Sequence, residues 1–150
     1  MAATTDVATV VSRGHRLDDG VSSLPIVLGS YTEIVDGDST SYDIETFNHG
    51  NATRKAKAMF EALGLGQDLR RARDGRKIRP GKGTMRGRVH KTPKSVLLVV
   101  SKKEGLAHAV RNLPGVDVVA VKDLCAEDLA PGGAVGRLTV FTKSAVEAMN

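Results

Sequence analysis

Apolar residues in this chain gather in short runs separated by polar stretches, and the runs differ in period. Ser95–Ser101, SVLLVVS, is nearly unbroken and β-branched, which predicts a central parallel strand buried on both faces. Leu24–Leu28 (LPIVL), bounded by Ser and Gly, predicts an earlier buried strand; Val116–Val121 predicts a third and Leu138–Phe141 a fourth. Between them the period becomes helical. Residues 2–13 place Ala3, Val7, Val10 and Val11 on one face, with Gly14 as a stop. Asn51 is positioned to cap a helix reaching Leu63, in which Ala52, Ala56, Met59, Phe60 and Leu63 share a face. A short helical piece follows over Gln67–Arg73. Lys102–Asn112 supplies a further helix, ended by Pro114-Gly115, and Asp123 reads as the cap of one or two turns to Leu129. After the Pro131-Gly132-Gly133 turn, Thr142 caps a last helix through Met149.

Strands alternating with helices predict an α/β fold: a three-layer α/β/α sandwich on a mostly parallel four-stranded sheet. The chain of 150 residues is expected to form a single domain, residues 1–150. Two stretches fall outside the alternation. Residues 29–51 are polar and turn-rich, longer than a compact α/β connection needs, and read as a surface insertion in which Val35, Ile44 and Phe47 anchor a small hairpin. The other is Arg70–Lys94, a basic excursion that leaves the helix layer and returns into the central strand.

Charge makes that excursion the candidate site. It holds eleven of the chain's 22 Lys and Arg and only one of its 17 acids, Asp74, so the remaining residues are mildly acidic. Like charge at this density needs counter-charge that the chain does not supply, and an external polyanion is the natural partner. Glycines 75, 81, 83 and 87 and prolines 80 and 93 exclude one continuous helix, and they permit close approach of backbone to an irregular phosphate path. Such a loop suits folded RNA better than a regular duplex groove. The candidate RNA-binding residues of loop 70–94 are Arg70, Arg71, Arg73, Arg76, Lys77, Arg79, Lys82, Arg86, Arg88, His90, Lys91 and Lys94. Arg54, Lys55 and Lys57 read as an ordinary solvated helix face. The loop is expected to be mobile without RNA.

Composition narrows the chemistry further. Aromatics make up 3% with no Trp, so base stacking on aromatic platforms is not the main mode of contact. The one cysteine, Cys125, cannot form an internal disulfide and reads as a small hydrophobe within Leu124, Cys125, Leu129. Histidines 15, 49, 90 and 108 lack metal-ligand spacing; His15 beside Arg13 and Arg16, and His90 within the loop, are placed to donate to phosphate. Gly75…Gly81-Lys82-Gly83-Thr84 and Gly81-x-Gly83-x-x-x-Gly87 both miss nucleotide-binding spacing, and neither follows an apolar strand. Asp117 and Asp123 are accounted for by turns and caps. No catalytic constellation, metal site, cofactor or small-molecule substrate is expected. No run approaches the ~18 apolar residues of a membrane helix and no secretory signal opens the chain, so no membrane partner is expected and a soluble intracellular protein is the default.

Several stretches, in order, carry a resemblance. They are Ser12–Arg16 (SRGHR), Leu24–Val27 (LPIV), Lys77–Arg88 (KIRPGKGTMRGR), Arg111–Val116 (RNLPGV) and Leu129–Ala145 (LAPGGAVGRLTVFTKSA). Together they resemble the large-subunit ribosomal protein L-four family in its archaeal and eukaryotic form. The resemblance implies an α/β sandwich, a structural role in the large ribosomal subunit without catalysis, and a cytoplasmic location within the ribosome. The implied partners are large-subunit ribosomal RNA and neighbouring large-subunit proteins. Lys77–Arg88 matches the family's basic segment, so Arg79, Lys82, Arg86 and Arg88 are implied as the leading RNA contacts. The family carries an N-terminal strand and a long Gly/Arg-rich extension toward the peptide exit tunnel; this sequence is read as starting after both. Residues 29–51 read as expanded relative to the family. From the residues alone, a free regulatory RNA-binding module and, further off, a small-molecule-binding α/β domain stay open.

Overall fold

A computed structural model of the chain describes residues 2–18, 20–21, 23–35, 38–43 and 52–149. At its centre is a four-stranded sheet, all parallel, made of β1 (Ile26–Leu28), β6 (Leu97–Val100), β7 (Asp117–Ala120) and β8 (Thr139–Thr142) in the spatial order β1-β8-β6-β7. Leu98 faces Val140 on one side and Val118 on the other, and Ile26 pairs with Val140 from the far edge. β6 and β8, the two inner strands, are buried at every position. The unbroken apolar run in SVLLVVS thus has its physical reason: both faces of that strand are covered.

Because successive side chains on a strand point to opposite faces, the sheet feeds two cores. Leu98, Val100 and Val140 pack beneath α2 (Val7–Ser12), α3 (Ala52–Ala62), α4 (Gly66–Asp74) and α5 (Gly105–Val110), whose Val10, Phe60, Leu69 and Leu106 close that side. Leu97, Val99 and Phe141 meet Ala145 of α7 (Lys143–Met149), with Leu124 and, from the short α6 (Ala126–Leu129), Leu129 packed against them. The expected three layers are present, with the thicker helical layer on the side from which the basic excursion departs.

Local chemistry moves several boundaries. The helix expected over 2–13 is broken into α1 (Ala2–Thr5) and α2, because the Asp6 carboxylate caps α2 by accepting the N–H groups of Ala8 and Thr9 at 3.2 Å. Val10 is buried, but Val11, expected on the same face, is 50% exposed. The expected Asp123 cap is replaced: Asp123 closes a 3-10 turn over Val121–Asp123, and α6 starts from Cys125. Cys125 is exposed, not a core hydrophobe, and its N–H donates to the Asp128 carboxylate at 3.1 Å. The Thr142 cap is present, its hydroxyl accepting from the Ala145 N–H at 3.2 Å. Within 29–51, β2 (Ser30–Val35) and β3 (Asp38–Asp43) form the expected hairpin, with Tyr31 opposite Tyr42. Ile44 and Phe47, named as anchors, His49 and the Asn51 cap lie outside the described residues.

Candidate nucleic-acid interface

The basic excursion is built as a hairpin. β4 (Lys77–Ile78) and β5 (His90–Lys91) pair antiparallel, Ile78 opposite His90 and Lys77 opposite Lys91. Arg79 N–H donates to the Val89 carbonyl at 2.9 Å and extends the ribbon. Its tip is a 3-10 turn over Gly81–Gly83 held by the Thr84 hydroxyl on the Arg79 carbonyl at 2.8 Å and by the Arg88 N–H on the Gly83 carbonyl at 3.0 Å. Gly81 and Gly87 take φ of +80° and +74° with open space where a Cβ would stand, so backbone conformation selects glycine at both. Two lysines directly opposite on a two-stranded ribbon repel, by a few tenths to about 1 kcal/mol. Folding does not reward that pairing, whereas a polyanion would.

The ribbon's neck, by contrast, is tightly held. Arg71 donates through Nε to Asp68 Oδ1 at 2.8 Å and through Nη2 to the Lys94 carbonyl at 2.8 Å, joining α4 to the returning strand. The Ser95 hydroxyl donates to Asp68 Oδ2 at 2.6 Å, its N–H to the Gly115 carbonyl at 2.8 Å, and its own carbonyl accepts from Arg137 Nε at 3.3 Å. Between these points lies Pro93, against two glycines. A Cβ on Gly75 would come within 2.6 Å of Pro93 Cγ, and one on Gly115, where φ is +76°, would overlap the Pro93 carbonyl oxygen.

Two carboxylates organise this neck. Asp68 is fully buried, which by itself would raise its pKa; hydrogen bonds from His15, Arg71 and Ser95 more than offset burial and hold the carboxyl well below the ordinary range. At Asp117, too, burial opposes ionisation but is outweighed by Lys94, 2.6 Å away, and by Arg137, so its pKa is lowered. Arg137 is 1% exposed and also donates to the Asp128 carbonyl at 2.9 Å.

The structure divides the twelve sequence-predicted residues into two groups. Arg76, Lys77, Arg79, Lys82, Arg86, Arg88, His90 and Lys91 are exposed along the ribbon, and among the described residues none has a carboxylate partner. Arg79 Nε instead reaches the His90 carbonyl at 3.2 Å. Arg70, also exposed, lies on α4. Arg71 and Lys94 serve the neck, and Arg73 pairs with Asp74 at 3.0 Å.

Two readings are corrected. His15 is 4% exposed, so it cannot donate to an external phosphate; its Nδ1 faces Asp68 Oδ2 at 3.2 Å while Nε2 accepts from the Leu138 N–H at 3.5 Å. Asp117 is an ion-pair partner, more than a turn residue. Arg13 reaches the Pro131 and Val135 carbonyls at 3.0 and 3.1 Å. Sequence reasoning gave Arg137 no role. The one available signal was a charged residue directly before an apolar strand, which burial would oblige to find partners. Among the described residues no group of three or more His, Cys, Asp or Glu is placed to hold a metal ion, and no helix is long and apolar enough to cross a membrane.

Fold and ribbon together define an α/β sandwich domain that presents an Arg-, Lys- and Gly-rich hairpin. The profile of the Ribosomal protein L4/L1 family matches residues 27–150, and the chain belongs to that family. Among similar curated proteins, the large ribosomal subunit protein uL4 of Pyrobaculum aerophilum is 49% identical over 148 residues, 98% of this chain and 47% of its own length. The protein of the same name from Methanocaldococcus jannaschii is 44% identical over 147 residues, 98% of this chain and 52% of its own. That of Halobacterium salinarum is 42% identical over the same span and shares. The chain spans about half the length of the curated relatives it matches.

Proposed function

We propose that the chain is a non-catalytic structural constituent of the large ribosomal subunit, in the cytoplasm, that binds ribosomal RNA through the basic loop 70–94 as part of a single domain over residues 1–150. The observation that carries this reading is the ribbon itself: eight exposed cationic or imidazole side chains without carboxylate partners among the described residues, Lys77 set directly opposite Lys91, on a hairpin whose root is fixed. Family membership and the printed names of the relatives support the ribosomal setting. Arg79, Lys82, Arg86 and Arg88 are the leading phosphate contacts. Arg76, Lys77, His90 and Lys91 flank them, Arg70 and Arg73 stand on the adjoining helix, and Arg71 and Lys94 contribute by holding the neck. Neighbouring large-subunit proteins are the other partners in this setting.

A held ribbon loses less conformational entropy on binding than a loose one. Phosphate contacts position a protein without reading sequence, so affinity should depend on salt far more than on base identity. Changing Arg79, Lys82, Arg86 and Arg88 together to Ala should reduce the slope of log affinity for large-subunit ribosomal RNA against log salt by about 2 to 4. Filter binding across a salt series measures it. A slope equal to that of the unaltered chain would remove the assignment.

A further inference from the structure

Beside the ribbon's root, Arg16, Gln67, Arg70, Arg71, Asp74 and Gly75 line a cleft of about 580 Å³. A second cleft of about 450 Å³, bordered by Lys77, Lys91 and Pro93, shares Asp74 and Gly75 with it. The two therefore meet over one short saddle, and cations stand on both sides of it. Within the first cleft the charges are not equivalent. Arg71 is committed to Asp68 and the Lys94 carbonyl, and the Asp74 carboxylate is taken by Arg73. Arg16 and Arg70 are exposed, and among the described residues neither guanidinium has a carboxylate or hydrogen-bond partner.

Arg16 is far from Arg70 in sequence, and the fold holds it there deliberately. Its backbone N–H donates to Asp68 Oδ1 at 3.1 Å, and the preceding residue, His15, is buried against Asp68 Oδ2 at 3.2 Å. The same carboxylate grips Arg71 one residue after Arg70. One buried acid thus sets a guanidinium from each segment on the rim of one cleft while its own charge stays inside.

We propose that Arg16 and Arg70 form a phosphate-binding site that continues the ribbon's track over the Gly75 saddle and takes a backbone phosphate of the same RNA. The inference rests on the RNA-binding reading and adds to it a residue, Arg16, outside the basic loop. Two planar guanidiniums on an open cleft suit the forked geometry of a phosphate better than any apolar or cationic ligand.

The test uses the 150-residue chain with deproteinised large-subunit ribosomal RNA from its own source. Arg16→Gln/Arg70→Gln should weaken binding and lower the salt slope by ~0.7–0.9, the share of the one phosphate lost. Arg16→Lys/Arg70→Lys should keep most of the slope, and Lys143→Gln, on α7 in the opposite layer, should leave it unchanged. Thermal melts confirm that each variant is folded. If the Gln pair keeps the full slope while the four-fold ribbon variant loses it, the site is overturned and the RNA reading stands; an acidic protein neighbour then becomes the partner of these arginines. If the unaltered chain shows no salt-dependent RNA binding, both fall.

Discussion

Asp68 shows how much of this molecule depends on single polar residues that composition hides. It is a fully buried carboxylate whose ionised form is held by three side chains and one backbone N–H. A hydrogen bond to a buried charge contributes roughly 1.5–3 kcal/mol, so Ser95→Ala should lower unfolding free energy by about that amount at neutral pH. Its pH dependence has a definite sign. Asp68 has a folded pKa held below the ordinary carboxylate range, so the unfolded chain takes up the proton first, and the stabilisation is complete above that range and lost as pH falls through it. The Ser95→Ala deficit should therefore shrink on acidification below the ordinary carboxylate range, as read by urea titrations at several pH values. A deficit constant with pH would mean that the hydroxyl acts through packing alone. None of this network could be read from the sequence. His15 lies between two arginines and looks like a surface donor, and Arg71 looks like one more cation of the basic run. Only the pairing of both with an acid 53 positions from His15 reveals their place.

At the scale of elements, the sequence was legible wherever burial decides the residue type. The four strands and five longer helices follow from apolar period, and SVLLVVS announced the doubly covered central strand. Boundaries were less legible where short polar bonds decide them: Asp6 splits the first helix, and Cys125 with Asp128 displaces the expected Asp123 start. Existence of the basic excursion was plain from charge, but its form as a ribbon was not, because Lys77, Ile78, His90 and Lys91 are all exposed and show no buried face from which to read a strand. That ribbon sets stability against binding. Replacing Lys77 by Glu creates an opposite-charge pair across from Lys91 and should protect the Arg79 amide, which donates to Val89, from hydrogen exchange. The gain should be a few tenths to about 1 kcal/mol. Affinity for large-subunit ribosomal RNA should move the other way and weaken. Stronger protection together with unchanged affinity would separate the ribbon from RNA binding.

For the whole molecule, the sheet and its two cores serve to fix a cationic hairpin at one end. Family membership was legible in the motifs; the clamp at the ribbon's neck was not, since it depends on Gly75 and Gly115 meeting Pro93 in space. We propose that this chain works as part of the large ribosomal subunit, and sedimentation of the tagged chain from an extract of its native source, through a sucrose gradient before and after a high-salt wash, is the decisive check. Co-migration with large subunits that survives the wash is the predicted result. Migration with free protein, in an extract whose ribosomes are intact, would contradict it.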